Sequence, residues 1–169
     1  MKYIGCLAAL MLALPTFAAL PAKKAPEVKG ILSGSGSTFG GLAGSGFTLL
    51  DVKRVATNSD KIERLVFDIG DKEGQDMRGW PGYYHVELKN NPQRLVIDFA
   101  QMPNSRVTQL TLNSRLKGSP SILSSIMSLE PVDNSLNLTM SLKSNTKVRV
   151  YQVMGKKSTS KVVVDLIRG

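Results

Sequence analysis

Cysteine and histidine are almost missing from this 169-residue chain, which has one of each, Cys6 and His85. Metal centres assembled from several Cys and His ligands are therefore excluded. A Cys/His nucleophile pair would need Cys6, which lies in what reads as an export leader. Aromatic residues amount to 6%, with a single Trp, and no strand carries the paired aromatics of an RNA-binding sheet. No basic recognition helix is present either, so nucleic acid is not an expected partner. The uncharged apolar stretch Leu7–Leu14 is too short to span a bilayer. No paired-carboxylate motif stands out. The glycines of 30–46 lack the preceding strand, following helix and Lys-Ser/Thr pair of a phosphate-binding loop.

What remains suits one globular domain, with 42% hydrophobic residues and 22 Lys plus Arg against 13 Asp plus Glu. Residues 1–18 have the three regions of a secretory signal: Lys2, then the apolar stretch, then Pro15 and the small-residue end Thr16-Phe17-Ala18. The expected address is the periplasm or cell surface of a bacterium, with no membrane span in the mature chain and no disulfide. Residues 19–47 are rich first in Pro and Lys, then in Gly and Ser. So many glycines lose too much backbone entropy to be offset by so few apolar side chains, and the segment reads as a flexible tether. The folded domain is expected over residues 48–169.

Within that domain the apolar beat has period two. Leu65, Phe67 and Ile69 alternate with Val66 and Asp68, and Leu136, Leu138, Met140 and Leu142 alternate with Asn137, Thr139 and Ser141. Such side chains occupy opposite faces of a strand. Strands are predicted at 48–55, 62–69, 83–89 and 93–99, and again at 122–130, 135–142, 147–153 and 161–167. Over 119–129 a strand is favoured, although Ile122, Leu123, Ile126 and Leu129 also satisfy a helical spacing. The same order of events in both halves marks an internal duplication. Two four-stranded, mostly antiparallel sheets, one per half and symmetric, can bury their apolar faces only against each other. The fold class is thus an all-β sandwich. Residues 106–112 are expected to cross between the sheets.

Each half closes on one short motif, Arg94-Leu95-Val96-Ile97-Asp98-Phe99 and Lys161-Val162-Val163-Val164-Asp165-Leu166, and Arg64-Leu65-Val66-Phe67-Asp68-Ile69 has the same form. This basic residue, apolar run, Asp and apolar ending resembles the AMIN domain, found at the amino-terminal side of bacterial N-acetylmuramoyl-L-alanine amidases and of secretins. The resemblance extends over nearly all of 48–169. It implies a periplasmic β-sandwich that binds peptidoglycan and holds its owner in the cell wall. No amidase or secretin domain follows in this sequence, so a module standing alone is expected.

Charge is unevenly spread. Residues 48–99 carry a net −1 and residues 100–169 a net +7. Arg115, Lys117, Lys143, Lys147, Arg149, Lys156, Lys157, Lys161 and Arg168 would attract an anionic polymer, and peptidoglycan bears free carboxylates on its stem peptides. Lys147, Arg149 and Lys161 are the leading ligand-binding candidates of this half. Arg149, between Val148 and Val150, must point away from the core. The resemblance adds Arg64 and Arg94, which head two of the motifs. Trp80, Tyr83 and Tyr84 gather in the irregular segment Gly79-Trp80-Pro81-Gly82-Tyr83-Tyr84, where flat rings suit a sugar or a protein partner. Asp68, Asp98 and Asp165 are expected on separate sheets, facing outward and pairing with Lys or Arg. His85, on an outer face without a second His or Cys, does not suggest a metal site.

The expected function is non-enzymatic peptidoglycan binding in the periplasm, with no catalytic residue, metal or cofactor. The alternative is a protein-interaction module in which a strand edge or the aromatic loop docks onto a secretin, pilus or other envelope assembly.

Overall fold

The computed structural model describes residues 30–44, 46–118 and 121–169. The leader expected over 1–18 and the first part of the spacer lie outside the described residues. In chain order the strands are β1 (Gly30–Leu32), β2 (Gly36–Gly40), β3 (Thr48–Val55), β4 (Ile62–Gly70), β5 (Tyr84–Lys89), β6 (Arg94–Phe99) and β7 (Asn104–Ser105), then the helix α1 (Gln109–Leu116). β8 (Leu123–Val132), β9 (Ser135–Leu142), β10 (Thr146–Val153) and β11 (Ser160–Arg168) follow. The protein is all-β apart from that one short helix. A six-stranded sheet, β1-β10-β11-β4-β3-β7, faces a five-stranded sheet, β2-β5-β6-β9-β8.

Period-two alternation sets which side of each strand is dry. β5, β6 and β9 bury every second residue along their whole length. Leu65, Phe67, Val148, Val150, Val162 and Val164 of the larger sheet meet Val86, Leu95, Ile97, Phe99, Leu138 and Met140 of the smaller one in a single core. The rings of Phe67 and Phe99 touch across the gap, with centroids 5.5 Å apart and planes tilted by 52°. All eight strands expected between residues 48 and 169 form, with ends moved by no more than two residues.

The allocation of those strands to sheets differs from expectation. Instead of one sheet per half, each sheet combines a hairpin from each half: β3–β4 joins β10–β11, and β5–β6 joins β8–β9. The charged residues of the motif supply a physical reason. In β4 and β11 a base and an Asp stand four residues apart, so laying the two strands antiparallel sets Arg64 opposite Asp165 and Asp68 opposite Lys161. A motif of this form is complementary to itself when reversed, and it joins the second strand of the first half to the last strand of the second half in one sheet.

Two further expectations are corrected. Part of the supposed tether is structured: β1 pairs with β10 in the larger sheet, and β2 pairs with β5 in the smaller. Backbone hydrogen bonds along existing strands hold these segments, so the scarcity of apolar side chains in them does not decide the outcome. Residues 106–112 also do not simply cross. They include the start of α1, whose N-cap Thr108 accepts from the Thr111 amide, and whose Leu112 and Leu116, one turn apart, are buried while Leu110 is 82% exposed. Among the described residues no helix is long and apolar enough to cross a membrane.

Candidate functional site

Four of the eight residues singled out from sequence lie together on the outer face of the six-stranded sheet. The pairing of β10 with β11 and of β11 with β4 puts Arg149, Asp165 and Arg64 in one row across three strands. Lys147 stands one pleat away from Arg149 on β10, and Lys161 lies opposite Asp68 in a parallel row. Alternation makes this inevitable, because the flanking Val148, Val150, Val162 and Val164 all face the core.

Asp165 is the centre of the first row. Arg64 donates to both of its carboxylate oxygens, from Nε at 2.7 Å and from Nη2 at 3.0 Å. Arg149 approaches Oδ2 from the other side, with Nε at 3.2 Å. The carboxylate is fully covered by these two side chains, although it is on the sheet's outer face. Burial by itself raises the Asp165 pKa, but hydrogen bonds from Arg64 and Arg149, with their charge, outweigh it and bring the group below the ordinary carboxylate value. The hydrogen bond to Asp165 in turn raises the Arg64 pKa, against a smaller opposing effect of burial. The Arg64 guanidinium also sits 5.6 Å from the centroid of the Tyr151 ring, so a flat aromatic plane and a delocalised cation share the face.

The second row is built the same way. Lys161 and Lys53 both donate to Asp68, Lys53 at 2.6 Å, and Lys53 also contacts Asp51 at 3.2 Å. Arg115 of α1 completes the chain by pairing with Asp51. Burial tends to raise the Asp68 pKa, yet the two lysines prevail and lower it. The reading of Asp68 and Asp165 as outward-facing partners of Lys and Arg agrees with these contacts. Their expected placement on separate sheets does not, since β4 and β11 are neighbours.

The other four sequence candidates are elsewhere. Arg94 is on β6, in the opposite sheet, where its register partner on β9 is Ser141 and not an acid. Its Nε is buried without a hydrogen-bond partner among the described residues. Trp80 is half-buried in a loop fixed by paired backbone hydrogen bonds between Gly79 and Gly155. Tyr83 lies beside Phe39, with ring centroids 6.3 Å apart. Tyr84 is a correction: it is fully buried, on the same side of β5 as Val86 and Leu88, and cannot serve a ligand arriving from solvent.

The Tyr84 hydroxyl has no hydrogen-bond partner among the described residues, and burial pushes its pKa up to about 12. Removing an unsatisfied buried polar group relieves its desolvation cost. Tyr84→Phe is therefore expected to raise stability by about 1 kcal/mol, measurable as a higher midpoint in thermal unfolding. A lower midpoint would show that the hydroxyl has a partner.

Sequence reasoning passed over two features. Phe39 falls in the stretch read as tether, where isolated aromatics among glycines give no periodicity. Glu63 is buried at one end of the sandwich, where it pairs with Arg54 at 3.1 Å and accepts from the Ile122 amide at 2.7 Å. That contact joins β4 to the segment entering β8, an encounter between distant parts of the chain that no local pattern encodes.

The chain matches no protein-family model and no curated protein. The functional reading accordingly rests on the geometry of its faces.

Proposed function

We propose that the protein is a secreted, non-enzymatic module that binds peptidoglycan in the bacterial periplasm through the outer face of its six-stranded sheet. The observation that carries this reading is the gathering of Arg64, Lys147, Arg149 and Lys161 on that face with Lys53, five cations against the three carboxylates of Asp51, Asp68 and Asp165. The carboxylates hold Arg64, Arg149, Lys161 and Lys53 in fixed positions and leave the face a net positive charge, so less side-chain entropy is lost when an anionic polymer docks. Free carboxylates on stem peptides would meet Lys147, which has no ion-pair partner among the described residues, and the outer donors of the arginines, and Tyr151 offers an apolar plane between the two charged rows.

The likeness of the three short motifs to those of the AMIN domain supports the same reading. An origin by duplication is supported by strand order. Exchanging the halves, so that β3, β4, β5 and β6 trade places with β8, β9, β10 and β11, turns β10-β11-β4-β3 into β5-β6-β9-β8. On this view β9 has lost the motif's charges, with Asn137 and Ser141 standing opposite Asp98 and Arg94.

A second reading, docking onto a secretin or another envelope assembly, is favoured by β8. This ten-residue strand forms one edge of its sheet and, among the described residues, pairs only with β9. Cosedimentation of the full mature chain with peptidoglycan stripped of protein separates the two. Wall binding predicts retention on the bare polymer that declines as salt is raised, because the Debye length shrinks from about 10 Å at 0.1 M to about 3 Å at 1 M. Retention only on wall that still carries its proteins would favour docking and overturn the proposal.

A further inference from the structure

The five-stranded sheet turns a second face to solvent, and its chemistry differs from that of the cationic face. Phe39, His85, Asp98, Asn137 and Glu130 stand in register, one on each of β2, β5, β6, β9 and β8. All five lie on the outer side, since the alternate positions of β5, β6 and β9 are buried. At about 4.8 Å per strand the row extends for about 19 Å across a pleated surface. Where the other sheet sets arginines on both sides of Asp165, here Asp98 has His85 and Asn137 beside it. Among the described residues no ion pair involves His85, Asp98 or Glu130.

One end of this row is aromatic. The Phe39 ring is 61% exposed and stacks on Tyr83, 39% exposed, with 28° between planes. Leaving a large ring this open costs apolar hydration that burial under a neighbour would recover, and single exposed apolar residues rarely come as a stacked pair. A flat ring plane followed by acceptor and amide groups on a level surface matches the two kinds of surface of a pyranose. Its C–H face packs on an aromatic ring, and its equatorial hydroxyls pair with carboxylate and amide side chains. The carboxylates of Asp98 and Glu130, with no cation in the row, select against polyanions. Within the row itself the apolar side chain is at one end, Phe39, with the exposed Val132 two residues beyond Glu130 at the other, and the polar middle suits a sugar chain better than the apolar centre of a protein interface.

We propose that this face binds a neutral oligosaccharide. The chain lies across the strands, one sugar stacks on Phe39 and Tyr83, and hydroxyls of the following sugars hydrogen-bond to His85, Asp98 and Asn137. The site is separate from the cationic face, and its existence does not require that peptidoglycan be the ligand of that other face.

Titration of the isotope-labelled mature chain with chitohexaose, cellohexaose and an acidic oligogalacturonate, followed by amide NMR, tests the assignment. At least one neutral oligomer is expected to give saturable shifts centred on residues 37–39, 83–87, 96–98 and 137–139. That binding persists in about 0.5 M NaCl, where screening removes long-range charge effects. Phe39→Ala is expected to weaken it about tenfold or more, and Asp98→Ala to weaken it as well. Both side chains are outside the core, so the remaining spectrum should be unchanged. The proposal is overturned if neither neutral oligomer shifts this face, if the acidic one binds there more tightly, or if Phe39→Ala binds as wild type does. Because chitohexaose and cellohexaose are uncharged, their failure to bind here leaves the salt-dependent wall retention of the opposite face unaffected.

Discussion

Phe67→Ala is expected to cost about 4 kcal/mol of stability, the largest effect of any single truncation considered. Phe67 is fully buried on β4 and meets Phe99 of β6 across the gap between the sheets. Removing its ring takes away both the transfer free energy and the aromatic contact, and the strands on either side are too constrained by their ladders to close the void. For a domain of this size that corresponds to a midpoint lower by roughly 10–15 °C. Thermal or urea unfolding measures it directly. A loss under about 1 kcal/mol would mean that the two sheets do not pack through this pair.

The second large effect concerns the ionic row. Asp165→Asn keeps the shape of the side chain but removes the charge that Arg64 and Arg149 share. The two guanidiniums are about a third exposed and can turn partly into water, so the cost is expected to be about 2 kcal/mol and not the larger penalty of a fully buried broken pair. The sign of the pH dependence follows from the lowered pKa values. The folded protein holds Asp165 and Asp68 ionised below the ordinary value of 3.8, so it binds fewer protons than the unfolded chain in that range. Their contribution is complete above that value and is lost as the pH falls through the lower folded-state values. Wild type and Asp165→Asn should therefore differ most in stability near neutral pH and converge in acid. A gap that widens as the pH drops from 5 to 2 would contradict the arrangement.

Much of this fold could be read from the chain because its central strands obey one simple rule. Leu136, Leu138, Met140 and Leu142 need nothing beyond alternation to reveal which face is dry, and β9 is indeed buried at every second residue. Sheet membership could not be read that way, because alternation says which face of a strand is apolar but not which strand lies beside it. The clue was present in the charges: Arg64 and Asp68 match Lys161 and Asp165 only when the strands are reversed. β1 and β2 were hidden for another reason. Edge segments are held by backbone hydrogen bonds, which every residue offers, so glycine-rich sequence does not distinguish a strand of this kind from a tether. The eight-residue α1 buries only Leu112 and Leu116, too few positions to establish a helical period.

The candidate site divides along the same line. Arg149 could be placed outward from its valine neighbours, and Arg64 and Lys161 follow from their place in the motif. Tyr84 could have been placed inward by the same alternation that governs Val86 and Leu88, and its proximity in sequence to Trp80 and Tyr83 was misleading. The partnership of Phe39 with Tyr83 depends on β2 adding to β5, a pairing between segments more than forty residues apart that no short pattern announces.

Retention of the Lys147→Glu/Arg149→Gln double variant on protein-free peptidoglycan is the most direct measurement. Lys147 is exposed, and replacing Arg149 leaves Arg64 to hold Asp165, so the fold should persist while the face loses three units of positive charge. At low ionic strength the variant is expected to bind at least about tenfold more weakly than wild type. Equal retention of the two proteins at every salt concentration would contradict a wall-binding role for the six-stranded sheet.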